Sequence, residues 1–396
     1  MSGEVHIVMT LRVDFLYPRL DPRVYKEAKE LVNRGYDVTV LCWSREDSGH
    51  PRFEEYEGIK IERVKHTIPP PDSSRILKGP PYFKLIRNMV KAIKAHKPDV
   101  LHAHDADTLL ESSFAHKSLK MPFIYDSHED YPAMVVQRYP MLAMGTKFLE
   151  KWLVGNVDHV IAATGGIGKK FQGMDKPTTV VYNSRREEDF VKITAKERRK
   201  LRASLGFGPG DFVVGYAGVL GKTHNTDLMI QIVSRMDPKS SNIKLLFIGG
   251  PDVQYERTRK MVQDMNMGKR VSVLPMMSFN DIMKYYQTMD AGTIIYEPSP
   301  NLIVAAPNKL FEFMGFGIPM IAQDYPEMRN ILVEHGEASI LVDPSNMKAV
   351  KAAMETLAGD PELCKQYSKK LKDLMRTRYN WSLQRRKLYQ VYDALL

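Results

Sequence analysis

Phe212-Val213-Val214-Gly215-Tyr216-Ala217-Gly218-Val219-Leu220-Gly221-Lys222-Thr223-His224-Asn225 reads as a β-branched strand that stops in glycines and gives way to a helix over 227–235. Glycines between a strand and a helix let backbone amides approach a phosphate at the positive end of the helix; a plain tight turn is the blander reading. The segment Gly221-Lys222-Thr223 is not a P-loop, because the glycine required five residues earlier is Tyr216. Further strands are expected at 244–249, 271–274, 291–295 and 318–322.

Before this series lies a similar one. Strand patterns at 6–9, 38–41, 100–103, 123–125 and 159–162 alternate with amphipathic segments such as 23–34, which Gly35 ends. Alternation of this kind predicts α/β architecture, a parallel doubly wound sheet in each half. The pattern breaks near 180–186, and a charged stretch at 196–200 leads to the turn residues 206–211. The chain's 396 residues exceed the roughly 250–300 that one core usually serves, so two domains with a cleft between them are expected. We place them at 1–185 and 186–375, with a C-terminal helix over 376–396 whose apolar stripe, Trp381, Leu388, Tyr389 and Tyr392, suits packing back on the first.

Composition narrows the function classes. Hydrophobic residues make up 43% and charged residues 26%, an ordinary globular balance. The two cysteines, Cys42 and Cys364, form no metal or disulfide spacing, and no apolar run reaches the ~18 residues of a spanning helix, so a soluble cytoplasmic protein is expected. Net charge is +10, which suits an anionic ligand or surface. Nucleic acid is the least supported partner, since no zinc-finger, RNA-recognition or aromatic-interleaved basic pattern is present. Gly165-Gly166-Ile167-Gly168-Lys169 lacks a hydroxyl residue after the lysine and reads as a helix-opening turn. His102 and His104 share one strand face, yet no third ligand is near in sequence, so no metal is expected; Asp105-Ala106-Asp107 reads as a loop and helix start.

The most informative stretch is Pro307-Asn308-Lys309-Leu310-Phe311-Glu312-Phe313-Met314-Gly315-Phe316-Gly317-Ile318-Pro319. Glu312 sits among apolar neighbours, with Lys309 three residues earlier on the same helical face. One reading is a helix-surface ion pair worth at most about half a kcal/mol; the other is a carboxylate for sugar hydroxyls, with Lys309 and helix-start amides holding phosphate.

These residues carry a resemblance. The whole chain resembles the family 4 retaining glycosyltransferases, of GT-B architecture with two facing Rossmann-like domains. The resemblance rests on 307–312 with Gly317-Ile318-Pro319-Met320-Ile321, on Asp21-Pro22-Arg23-Val24 with 35–41, on 98–105, and on Tyr125-Asp126-Ser127-His128-Glu129. It implies that Glu312 is the second glutamate of a Glu, seven residues, Glu signature that meets the nucleotide ribose. It places Asn308, Lys309 and Leu310 at the diphosphate, Gly218 and Gly221 in the donor turn, and His128 beside the transferred sugar. On the acceptor side it implies Asp21, Arg23, Asp105 and Glu129. Donor residues and His128 then come from opposite halves, so domain closure is expected to assemble the site.

Two departures follow. Val304 stands where the first signature glutamate is expected, with Glu297 nearby but out of register, and the usual arginine and lysine of the phosphate turn align with Val219 and His224. Lys222 and Lys309 are the candidates to supply that charge. In a retaining transfer the departing diphosphate gathers negative charge, so His128, Lys222, Lys309 and Glu312 are the expected catalytic group, without metal or other cofactor. The donor is expected to be a nucleoside-diphosphate sugar of UDP or GDP type, and the acceptor is not identified.

The segment 78–97 holds six cations and no acid beside an apolar stripe, which fits either docking on an anionic membrane or an ordinary helix with a solvated basic face. Three rival functions remain: a nucleotide-sugar 2-epimerase, a non-catalytic nucleotide-sugar binder, and a dinucleotide-dependent dehydrogenase. The last is disfavoured because 10–15 contains no glycine.

Overall fold

In the computed structural model, residues 4–67, 75–138, 141 and 143–396 are described, with 75–79, 136–138 and 143 as backbone alone. The chain divides into two units, Met1–Asn183 with Gln384–Leu396, and Ser184–Leu383. The first unit runs β1 (His6–Leu11), α1 (Pro22–Asn33), β2 (Asp37–Ser44), β3 (Phe53–Tyr56), β4 (Ile59–Lys65), α2 (Arg75–His96) and β5 (Val100–His104). It continues with α3 (Leu109–Leu119), β6 (Phe123–Ser127), α4 (Tyr131–Arg138), α5 (Ala143–Val154), β7 (His159–Ala162), α6 (Gly165–Gln172) and β8 (Thr178–Val180).

The strands form one sheet in the order β3-β4-β2-β1-β5-β6-β7-β8. Among the described residues only β3 runs antiparallel. The inner strands are continuous apolar runs because helices cover both faces: Ile7, Val8 and Met9 are all fully buried. Asp21 caps α1, its Oδ1 accepting from the amides of Arg23 and Val24 at 3.0 Å each, with Pro22 at the first helical position.

The second unit runs α7 (Ala195–Ser204), β9 (Phe212–Val219), α8 (Thr226–Ser234), β10 (Ile243–Gly250), α9 (Asp252–Asp264), β11 (Val271–Leu274) and α10 (Phe279–Tyr286). Then come β12 (Ala291–Ile294), α11 (Pro300–Ile303), α12 (Asn308–Phe316), β13 (Met320–Gln323), α13 (Pro326–Leu332), β14 (Ile340–Val342), α14 (Met347–Gly359) and α15 (Pro361–Leu374). All six strands are parallel, in the order β11-β10-β9-β12-β13-β14.

Strand order reverses at β1 in the first unit and at β9 in the second. In open α/β sheets ligands bind outside the carboxyl ends of the strands at such reversals. Those two points therefore organise the search for function. The last helix, α16 (Trp381–Leu395), gives the first unit its residues from Gln384 onward: Gln384 Oε1 accepts from the Tyr182 amide, and the Tyr392 hydroxyl meets His102 Nδ1 at 2.8 Å. Among the described residues no helix is long and apolar enough to cross a membrane.

Candidate functional site

At the end of β9 the chain turns through Gly218 (φ 144°) and Gly221 (φ 116°), and a short 3-10 turn, Lys222–His224, leads into α8. The turn is fixed from both sides: the Gly221 amide donates to Thr226 Oγ1 at 2.8 Å, and the Leu220 amide to the Gly250 carbonyl at 3.2 Å. Glycine is required at two places here. A Cβ on Gly249 would lie 1.7 Å from the Gly218 carbonyl oxygen, and one on Gly218 would lie 2.9 Å from the Tyr216 hydroxyl and 3.1 Å from Lys309 Nζ.

Lys309, in the first turn of α12, thus reaches the glycine turn. Its ammonium donates to the Tyr296 hydroxyl at 2.6 Å and the Tyr216 hydroxyl at 3.4 Å, and lies 4.4 Å from the Tyr216 ring centre and 5.1 Å from that of Tyr296. Among the described residues no carboxylate pairs with it. Burial pushes this ammonium down to about 8. His224 packs edge-on to Tyr296 at 4.9 Å, and burial, then the neighbouring Lys309 charge, push its imidazole down to about 4, so it is neutral.

Glu312 is 5% exposed and does not pair with Lys309; the helix-surface ion pair is absent. One of its oxygens accepts from the Arg185 guanidinium (Nε at 3.0 Å) and the other from the Tyr286 hydroxyl at 2.8 Å. Arg185 is stacked over Phe279 at 4.2 Å. One turn of helix thus sends its cation and its anion to different partners.

The remaining donor-side residues gather around the same turn. Asn308 opens α12 behind the cap residue Pro307. The Leu310 amide donates to the Pro307 carbonyl at 2.9 Å, and its side chain is buried. Val219 is half-exposed at the strand end. Lys222 is 84% exposed, its ammonium 4.0 Å from Glu297, whose amide donates to the Thr223 carbonyl at 2.9 Å. Val304 caps the end of α11. A groove of ≈ 980 Å³ lies elsewhere in this unit, at the strand starts beside Phe212, Asp290 and Pro319. We favour the β9 turn as the site because ligands of open α/β sheets gather at carboxyl ends.

In the first unit a second cluster forms at the ends of β5 and β6. The Arg23 guanidinium, 3% exposed, donates to both oxygens of Asp126 (2.8 and 2.6 Å) and to the Val181 carbonyl at 2.8 Å, and lies 3.2 Å from Glu27 one turn on. His128 is clasped by two carboxylates, Nδ1 at 3.1 Å from Asp105 and Nε2 at 2.9 Å from Asp126. Burial opposes the charge on His128, but Asp105 and Asp126 outweigh it and hold the imidazolium well above its usual range. The ring is therefore a donor on both sides rather than a switchable donor or acceptor. Burial pushes the Glu27 carboxyl up to about 8, so Glu27 keeps a proton while Asp126, with Arg23 and His128, carries the charge.

The acceptor-side expectations fall around this cluster with unequal roles. Asp21 caps α1, Arg23 is buried in the ion pair, Asp105 also accepts from the His128 amide at 3.1 Å, and Glu129 is exposed. Asp105 adopts φ 61° and opens the 3-10 turn Ala106–Thr108. Glu27, His102, His104 and Asp126 have ligand atoms within 4.8 Å of one another, the spacing of a metal group. The two imidazoles are stacked at 4.3 Å and 25°, and Arg23 already brings positive charge to both carboxylates, which competes with a cation at this place.

Sequence reading missed Tyr216, Tyr296, Arg185 and Tyr286. Tyr216 lies on β9 and Tyr296 just beyond β12, the strands that flank the reversal, and their place is legible only once strand order is known.

Comparison with known proteins fits this geometry. The description Glycosyltransferase Family 4 matches residues 23–185, and Glycosyl transferases group 1 matches 197–373. A D-inositol 3-phosphate glycosyltransferase of Rhodococcus erythropolis is 20% identical over 362 residues, covering 85% of this chain and 78% of the relative. An uncharacterized glycosyltransferase of Haemophilus influenzae is 22% identical, with 87% of each covered. Among solved structures, sucrose-phosphate synthase from Thermosynechococcus elongatus aligns with a TM-score of 0.78 at 17% identity, over 98% of this chain and 99% of that one. HepE of Anabaena, solved in complex with UDP, aligns at 0.75 and 15% identity, over 99% and 100%. The chain belongs to the family 4 glycosyltransferases, has the GT-B fold, and is a transferase of glycosyl groups.

Proposed function

We propose that the protein transfers a sugar from a nucleoside-diphosphate sugar to an acceptor with retention of anomeric configuration. Lys309 carries the reading: a partly buried ammonium, held by two tyrosine hydroxyls against a glycine turn, with no carboxylate partner among the described residues. Burying an uncompensated cation is costly, and an anion arriving at the turn removes that cost. The diphosphate is that anion. As the bond between the sugar's anomeric carbon and the diphosphate oxygen breaks, Lys309 and the amides at the start of α12 hold the growing charge, with exposed Lys222 reaching in from the turn. Neutral His224 and Val219 line the turn, and Glu312, pinned by Arg185 and Tyr286, sets the ribose end.

A UDP-type donor is favoured by the structural relative HepE, solved with UDP and with UDP-glucose. His128, as a fixed imidazolium, is assigned to orienting the sugar, beside Asp105 and Glu129. No metal or other cofactor enters the scheme. A peripheral contact of residues 78–97 with an anionic membrane belongs to the same reading, supported by the exposed cations Lys84, Arg87, Lys91 and Lys94.

Titration calorimetry with UDP, GDP, ADP and their sugar conjugates tests the donor site: one diphosphate should bind selectively, and Lys309→Met should weaken that binding about ten- to a hundredfold. Absence of binding to all of them by the folded protein overturns the assignment. Val304 in place of a carboxylate favours one second reading, a binder that never turns the donor over. Sugar transfer to any acceptor, followed by product NMR for the anomeric configuration, separates the two.

A further inference from the structure

The outer face of α2, α3 and α5 is built unlike a solvated surface. These helices pack side by side, α3 against both neighbours. On α5, Met144, Phe148 and Trp152 recur every four residues and are 83%, 73% and 49% exposed. Such a row forms a single stripe on one helix face. Phe114 on α3 and Phe83 on α2 are also exposed. Monomeric proteins rarely leave so many large side chains together in water without using them.

Among the described residues, the exposed charges of these three helices have one sign. Lys147 and Lys151 flank Phe148 on α5, Lys117 and Lys120 stand at the end of α3, and Lys84, Arg87, Lys91 and Lys94 run along α2; all are exposed. The sequence of α2 contains no acidic residue, and the single glutamates of α3 and α5, Glu111 and Glu150, are buried. Lys117 Nζ sits 5.0 Å over the Trp152 ring, pairing a cation with an aromatic of the kind found at membrane interfaces.

We propose that this face lies flat on an anionic lipid surface, the α5 stripe entering the headgroup boundary while the lysines meet lipid phosphates. Apolar burial and charge attraction act together in such binding, and neither suffices for stable attachment alone. The proposal extends the contact suggested for 78–97 by naming α5 as the inserting element. It does not depend on the donor site.

The test uses the full chain and vesicles of phosphatidylcholine, with or without phosphatidylglycerol. Co-sedimentation should occur with the anionic vesicles, fall with added salt, and weaken at least about tenfold in the double variant Phe148→Glu, Trp152→Glu. Trp381 is 2% exposed and Trp43 half-buried, so a blue shift on vesicle binding should come from Trp152 and vanish in Trp152→Phe, which still sediments. An unchanged melting temperature shows that the double variant folds, and unchanged UDP titration in it keeps this result separate from the donor assignment. Equal sedimentation of double variant and parent would overturn the role of α5. Equal binding to both vesicle types would overturn the charge argument, and no sedimentation at all would reassign the face to a protein partner.

Discussion

The two clusters at the strand reversals treat buried charge in opposite ways. Around Asp126 every charge is answered: Arg23 and His128 are cations, Asp126 and Asp105 anions, and Glu27 stays neutral by keeping its proton. Around Lys309 the charge meets phenol oxygens and ring faces and no carboxylate pairs with it among the described residues, while Glu312, three residues along the helix, is claimed by Arg185. A closed network is preorganised structure. An open one has room for an anion, so the first arrangement suits fixing an orientation and the second suits taking up charge.

The contrast is most exposed to failure at Asp126. Asp126→Asn leaves Arg23 and His128 buried beside a neutral amide, so stability should fall by about 3–5 kcal/mol and the melting temperature by more than about 6 °C, while UDP still binds whatever remains folded. A thermal scan showing less than a degree of change would mean that the network is not closed.

Lys309→Met should behave in reverse. Removing a desolvated cation should leave the ligand-free protein as stable as before or more so, yet diphosphate affinity should drop by about ten- to a hundredfold, roughly 1.5–3 kcal/mol. Calorimetry beside thermal scanning reads both. Loss of stability without loss of affinity would make Lys309 a structural residue.

The third prediction concerns pH. Since the folded pKa of Lys309 is lowered from 10.5 to about 8, the unfolded chain holds its proton between those values and the folded one does not. Stability relative to Lys309→Met should therefore rise as pH goes from about 8 towards 10.5, because the unfolded state there binds more protons. Diphosphate affinity should run the other way, falling above about 8 as the ammonium is lost, with no such fall in the variant. Smallest of all is Lys222→Ala. At 84% exposure its charge is well solvated, so affinity should change by no more than about threefold, near 0.6 kcal/mol. A larger loss in titration would show that the turn, and not α12, supplies the main cation.

Periodicity made the inner strands legible, because fully buried parallel strands are continuous apolar runs bounded by helices; 6–9, 38–41 and 212–216 all lie within strands. It missed β3, β8 and β14, which are short and sit at sheet edges where few buried residues are needed, and also β4, whose apolar run is broken by Lys60, Glu62 and Arg63. At the site, the glycine turn and Lys309 could be picked out because special backbone and an odd charge leave local marks. The tyrosines could not. Tyr216 and Tyr296 are eighty positions apart and come together only through strand order, and Arg185 reaches Glu312 across 127 positions. Asp21 before Pro22 is a local cap signal, whereas nothing local marks Arg23 as a buried ion-pair partner of Asp126.

The bond from Tyr392 to His102 has a consequence for how the chain is made. The first unit takes residues Gln384–Leu396, so the whole of Ser184–Leu383 leaves the ribosome before the first unit can be completed. During synthesis His102 and the α1 surface around Glu30, later covered by Tyr389, wait for their partners. Domains generally fold as units, earliest part first, but here the earlier unit is sealed last. A chain interrupted anywhere before residue 384 would lack both of these contacts, leaving that face of the first unit uncovered.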